Sequence, residues 1–156
     1  MRIARNLYTI GHSNHGIEIF LGLLKAHRIE TLIDVRSWPA SRRLPHFNRA
    51  ALQESLTAAG IRYLWFGKEL GGKSDWVEAA ASPAFRTRIG ELAELAEGIG
   101  VVLMCAEEDP TRCHRRNFLA EPLAAQGVAL NHIRRDGNVI ADAALNDEQL
   151  SLFTER

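Results

Sequence analysis

The chain holds two cysteines, Cys105 and Cys113, eight positions apart. Cys113 is flanked by Arg112 on one side and His114 and Arg115 on the other, just after Asp109-Pro110, a pair that reads as the start of a helix. Cationic neighbours and the positive end of a helix both favour an anion, so a lowered thiol pKa is expected, with the thiolate a candidate nucleophile. Cys105 is the candidate resolving partner, although at the end of an apolar run it reads first as a small buried hydrophobe. The plain alternative for Cys113 is a half-buried helix residue, and both readings stay open. A structural disulfide is not expected in a chain read as cytosolic. Cys105, Cys113, His114 and His12 could be gathered as metal ligands. No C-x-x-C pair or other standard zinc spacing is present, so no metal is assigned and the cofactor stays unknown.

Other polar residues fall where ligands bind in open α/β sheets, beyond the carboxyl ends of strands. Gly11-His12-Ser13-Asn14 follows one apolar run, Asp34-Val35-Arg36 ends another, and Cys105 runs into Glu107-Glu108-Asp109. Asp34 reads either as a catalytic carboxylate or as an ion-pair or turn-capping residue. Arg36, Arg42 and Arg43 lie on a loop stiffened by Pro39 and Pro45, suited to phosphate or another oxyanion. Glu107 and His12 are the candidate proton carriers. A phosphatase or rhodanese loop would need an Arg five or six places after its Cys; from Cys105 those places hold Pro110 and Thr111. The acidic run 107–109 would also repel an anion. Leu70-Gly71-Gly72-Lys73 does not satisfy G-x-x-x-x-G-K-S/T and reads as a flexible loop, either a cover over the site or a long turn. Trp38, Trp65 and Trp76 read as packing residues, with Trp38 and Trp76 alternatively stacking on a base.

The elements that must position these residues alternate along the chain. Apolar runs at Leu7 to Ile10, Thr31 to Val35, Ile61 to Phe66, Val101 to Cys105 and Val128 to Ile133 read as five strands, with 101–105 the most apolar and therefore central. Ile17 to His27 has helical periodicity. Asn48 is the expected cap of a helix through Ala59 that stops at Gly60, and Ser82-Pro83 opens another to about Glu97. Asp109-Pro110 opens a helix through Ala125. Val139-Ile140 is a candidate short strand. The expected fold is α/β: a three-layer, Rossmann-like arrangement of a mainly parallel sheet of about five strands with helices on both faces. Residues 1–141 form one domain and 142–156 a tail.

At 156 residues, with 19 basic against 19 acidic residues, the chain is one domain of neutral formal charge. That excludes a protein that coats nucleic acid by bulk charge. No membrane span or signal-peptide core is present, so no membrane partner and a cytoplasmic location are expected. Of the basic residues 16 are Arg and 3 Lys. Codon bias accounts for such a ratio, yet Arg36, Arg42, Arg43, Arg112 and Arg115 fall in the segments expected to form one pocket.

At Thr9-Ile-Gly-His-Ser13, Asp34-Val-Arg36 with Pro39 and Ser41-Arg42, Leu70-Gly-Gly72, and Cys105-Ala-Glu107 with Cys113-His-Arg115, the chain resembles the bacterial and archaeal domain of unknown function 488 family. The resemblance spans residues 8 to 133. It implies a small α/β domain with its motif residues at one end of the sheet, and no particular reaction. By match the site candidates are His12, Asp34, Glu107 and Cys113 for catalysis, and Ser13, Arg36, Arg42, His114 and Arg115 for ligand or anion binding. Separately, Gln149-Leu150-Ser-Leu152-Phe153 resembles the peptide by which bacterial polymerases and repair proteins bind the sliding clamp, Leu152 and Phe153 filling an apolar pocket and Gln149 fixing register. The alternative is a terminal apolar cluster docked on its own domain. Three functions follow as expectations. The first is an enzyme acting on DNA or a nucleotide and recruited by the clamp. The others are a non-catalytic nucleotide- or anion-binding module and a thiol redox protein.

Overall fold

A computed structural model describes residues 5–71 and 76–145. Six strands form one sheet in the order β3-β2-β4-β1-β5-β6. They are β1 (Arg5–Gly11), β2 (Thr31–Asp34), β3 (Arg62–Trp65), β4 (Val101–Cys105), β5 (Val128–Ile133) and β6 (Val139–Ala141). The first five run parallel, and β6 pairs antiparallel with the edge of β5. The five expected strands are joined by a sixth at the candidate position Val139-Ile140, because the turn after Arg134 returns the chain along β5. As its composition requires, β4 is central and buried throughout.

Side-chain parity on β4 divides the core. Val102 and Met104 face α1 (Ile17–Ala26) and α2 (Arg49–Ala58), which bury Phe20, Leu24, Leu52 and Leu56. Val101, Leu103 and Cys105 share the opposite cluster with Phe85, Ile89 and Phe118. That face is covered by α3 (Gly67–Leu70), α4 (Trp76–Ala81), α5 (Pro83–Leu95), α6 (His114–Asn117) and α7 (Ala120–Ala125). Helices on both faces complete the three layers. Ser82 caps α5 as expected, its Oγ accepting from the Phe85 amide at 3.1 Å.

Two local expectations are corrected. The single helix expected from Asp109 to Ala125 is a 3-10 turn at Pro110–Arg112 followed by α6 and α7. Pro122 has no N–H to continue a helix through residue 118, so the chain restarts at Ala120 with the proline in the first turn. Cys113 is extended, at φ −120° and ψ 141°, and precedes a helix of four residues. Residues 67–70, expected as part of a loop, are the helix α3, and Leu70 is fully buried. At the carboxyl end the chain stays attached to the domain through residue 145: Asp142 pairs with His132 and Arg116, and Leu145 is buried. The peptide 149–153 lies outside the described residues. No helix among the described residues is long and apolar enough to cross a membrane.

Candidate functional site

Because β2, β4 and β1 are neighbours, their carboxyl ends meet. The His12 amide donates to the Cys105 carbonyl at 2.8 Å and the Ser13 amide to that of Ala106 at 2.9 Å, carrying the β1–β4 ladder past the strand ends. Gly11 makes this approach possible, since a Cβ there would overlap the Glu107 carbonyl.

Asp34 is buried and fully engaged. Its Oδ1 accepts from Arg36 Nε at 2.9 Å and the Arg36 amide at 3.1 Å. Its Oδ2 accepts from Arg36 Nη2 at 2.8 Å and the Tyr63 hydroxyl at 2.6 Å. With four donors on its two oxygens, the Asp34 carboxylate orients Arg36 and is enclosed by these partners. Burial, with the Asp34 charge beside it, pushes the Tyr63 phenol up, so it stays a donor.

His12 is stacked on Phe47, with ring centroids 4.2 Å apart, and is buried behind Arg36. Its Nδ1 donates to the Ser13 carbonyl at 2.9 Å, leaving Nε2 to accept from Arg36 Nη1 at 3.4 Å. Burial, reinforced by the Arg36 charge and opposed by the Ser13 hydrogen bond, brings the His12 pKa down to about 4. Unfolded His12 takes up a proton below about 6.5, whereas folded His12 does so only near 4, so the unfolded state is favoured as pH falls through this window. His15 and His132 are shifted in the same direction and add to the slope. Urea denaturation from pH 7 to 4 is therefore expected to show falling stability, and His12→Gln, which keeps an acceptor for Arg36, to reduce the slope. An unchanged slope in this variant would contradict a neutral, buried His12.

A cavity of about 410 Å³ opens beside these residues, lined among others by Arg36, Trp38, Glu107, Arg112, Cys113 and His114. Cys113 forms part of its floor and is only 4% exposed. His114 Nε2 donates to the Val35 carbonyl at 2.9 Å, which turns Nδ1 toward Cys113 Sγ at 3.7 Å. The neighbouring Cys105 thiol, working against burial and helped by His114 and Arg115, holds the Cys113 thiol below its ordinary value. Burial, together with the neighbouring Cys113 thiol, pushes the Cys105 thiol up, and its S–H donates to the Glu107 carbonyl at 3.5 Å. The cause expected from the sequence is thus corrected in part. A four-residue helix has little dipole, and the stabilising groups are two side chains and a second thiol.

Arg115, expected as an anion ligand, is 0% exposed. Its guanidinium donates to Thr9 Oγ1, Cys105 Sγ and the carbonyls of Glu107 and Glu108. It clamps the loop that leaves β4 and, fully buried, is not part of the cavity lining. Ser13 stands away from the cavity in a left-handed turn at φ 48°, where Arg135 Nη1 approaches its hydroxyl at 3.4 Å. Arg42 and Arg43 are exposed, outside the cavity wall, and form no ion pair among the described residues. Glu107 is exposed at the cavity, its Oε1 accepting from the Asp109 amide at 3.1 Å. The acidic run is partly neutralised, because Glu108 is held by Arg134 at 3.0 Å.

Two further residues stand at the cavity. Trp38 is 78% exposed at the cavity, not packed as first read, and Arg112 is exposed beside it. Trp65 instead packs at the edge of the same loop, donating from Nε1 to the Arg36 carbonyl at 2.8 Å. Trp38 carried a signal in its place on a Pro-rich loop. Tyr63, inside an apolar strand, carried none. Among the described residues no three His, Cys, Asp or Glu side chains gather as a metal site.

A mainly parallel open sheet with a cysteine–histidine pair in a cavity at its carboxyl edge places this chain among the three-layer α/β proteins. It belongs to the family described as domain of unknown function DUF488, whose family model matches residues 16–123. That stretch contains Asp34, Arg36, Arg42, Glu107, Cys113, His114 and Arg115, while His12 and Ser13 precede it. The comparisons with curated proteins and with solved structures give no match.

Proposed function

We propose that the protein is an enzyme directed at a nucleotide or nucleic acid, with Cys113 as nucleophile. The observation that carries this reading is the Cys113 thiol in the cavity wall, with His114 Nδ1 3.7 Å from its sulfur. His114 is fixed by the Val35 carbonyl and takes the thiol proton, so that the attacking species is a thiolate facing an imidazolium. Glu107 is the carboxylate at the cavity that moves protons on the bound ligand; His12, sealed behind Arg36, is not. Arg36 has its charge balanced by Asp34, which leaves Arg112 as the exposed cation for a phosphate. Trp38 supplies an exposed face on which a base stacks.

Recruitment by the sliding clamp through Gln149, Leu150, Leu152 and Phe153 completes the reading, since a tethering peptide raises local concentration without a basic coat. One titration tests both parts. Tryptophan fluorescence of the full chain is expected to be quenched by mononucleotides or oligonucleotides, with the signal lost in Trp38→Phe. Affinity for clamp-loaded DNA is expected to fall when residues 149–153 are deleted. No quenching by any nucleotide would overturn the ligand class, and clamp binding unaffected by the deletion would overturn the recruitment.

The placing of Cys105 and Cys113 in the wall of one cavity favours a second reading, a thiol redox protein in which Cys105 resolves a disulfide formed at Cys113. A non-catalytic anion-binding module would use the same cavity without need of the thiol.

A further inference from the structure

The loop between β2 and α2 supplies Arg36, Ser37, Trp38 and Ala40 to the cavity and then continues past it. Beyond Ala40 come Arg42 and Arg43, both exposed and neither in an ion pair among the described residues. Their setting stands out in a chain of zero formal charge. From residue 35 to residue 53 there is no Asp or Glu, yet Arg36, Arg42, Arg43, His46 and Arg49 all fall in that stretch. Asp34 neutralises Arg36, and Arg49 lies over the Trp65 ring, 4.8 Å from its centroid. Arg42 and Arg43 have no such partner among the described residues, so two like charges stand side by side.

The loop beneath them is held in place. The Ser41 amide donates to Asn48 Oδ1 at 2.5 Å, the Leu44 amide to Ser41 Oγ at 3.2 Å, and the Arg49 amide to the Pro39 carbonyl at 2.9 Å. Pro39 and Pro45 fix two further backbone torsions. Gly67 and Gly71 bring the backbone of α3 against the Arg36 carbonyl and Ser37, where a Cβ would overlap them. A loop fixed in this way loses little freedom when its arginines meet an anion.

A mononucleotide with its base on Trp38 and its phosphate on Arg112 leaves Arg42 and Arg43 no phosphate to meet; a strand has more of them. Charge alone suits any polyanion, but the exposed indole of Trp38 on the same loop suits one that carries free bases. The bases of a duplex are stacked within it and offer that ring no face. Glu107 and Asp109 belong to the segment after β4, and no carboxylate lies on the loop itself to repel a strand. We propose that the ligand is single-stranded nucleic acid, one nucleotide in the cavity and the neighbouring phosphates running out over Arg42 and Arg43. This deepens, and rests on, the reading of the cavity as a nucleotide site.

The test is fluorescence anisotropy of a labelled oligothymidylate of about ten nucleotides on the full chain, at several salt concentrations, with thymidine monophosphate as competitor. The oligonucleotide is expected to bind about tenfold more tightly than the monophosphate, or better. Arg42→Ala with Arg43→Ala is expected to weaken oligonucleotide binding roughly tenfold at low salt. It should also reduce the slope of log affinity against log salt by about 1.4, the value for two phosphate contacts on a single strand. Both positions are exposed, and an unchanged melting temperature confirms that the variant is folded. Arg28→Ala with Arg62→Ala removes the same charge near the amino ends of β2 and β3, at the opposite end of the sheet, and should leave the slope as it is. An oligonucleotide that binds no better than the monophosphate would overturn the proposal, and so would an unaltered slope in the first variant or an equal loss in the second. Tighter binding of a duplex or of polyglutamate would overturn the choice of ligand. If neither oligonucleotide nor monophosphate binds, what fails is the nucleotide reading of the cavity itself.

Discussion

Cys113→Ser is expected to abolish thiol labelling at mildly acidic pH. In the parent protein iodoacetamide should modify one equivalent of thiol at pH 6, at Cys113, because Cys105 is buried and its thiol is pushed up. Removing Cys113 leaves a cysteine with almost no thiolate at that pH, so labelling should fall by about a hundredfold or more. Turnover, on whichever nucleotide or DNA substrate is found, should vanish with it. Cys105→Ser separates the enzymatic from the redox reading. A serine there leaves Cys113 and His114 in place, so nucleophilic chemistry survives, whereas a disulfide cycle is lost outright. Equal labelling of the parent and Cys113→Ser proteins at pH 6 would show that Cys113 is not the reactive thiol.

Asp34→Asn should cause the largest loss of stability. Asp34 and Arg36 form a buried ion pair at 2.8 Å, and Tyr63 donates to the same carboxylate. Substitution with the isosteric amide leaves the Arg36 guanidinium buried without its counter-charge. Breaking one side of such a pair costs about 3–5 kcal/mol. In a domain of this size that is a fall in melting temperature of roughly 10 °C. The effect should also reach the site, because Arg36 carries His12 on its third nitrogen and lines the cavity. Thermal unfolding measured with and without Tyr63→Phe tests the assignment: the two losses should be strongly non-additive, since both remove donors or acceptors from one network. Additive losses would indicate that the pair is not coupled as described.

The lesson for reading such a chain lies in which residues could be placed and which could not. The apolar run 101–105 required a central strand, and parity along it required that Val101, Leu103 and Cys105 face one way and Val102 and Met104 the other. The caps at Ser82-Pro83 and the stop at Gly60 were equally local. The gathering of His12, Arg36, Glu107 and Cys113 at strand ends was legible because parallel strands end at one edge of their sheet. For Arg115 and Asp34 the limit is physical: sequence shows a charge but not whether it is already neutralised. Both are consumed by internal partners, Arg115 by two carbonyls, a hydroxyl and a thiol, Asp34 by Arg36 and Tyr63.

By itself the sequence determined the α/β alternation, the strand ends and the concentration of chemistry near Cys113, all of which follow from short-range spacing. Only the tertiary structure decided the partners. The contacts Thr9 to His132 and Arg115, His132 to Asp142, and Arg115 to Cys105 join segments whose proximity is set by strand order, and strand order is a property of the whole packed sheet. The same packing exposed Trp38 and Arg112 at the cavity while it sealed Arg115 beneath it. Burial depends on what lies above a side chain, and no local pattern encodes that.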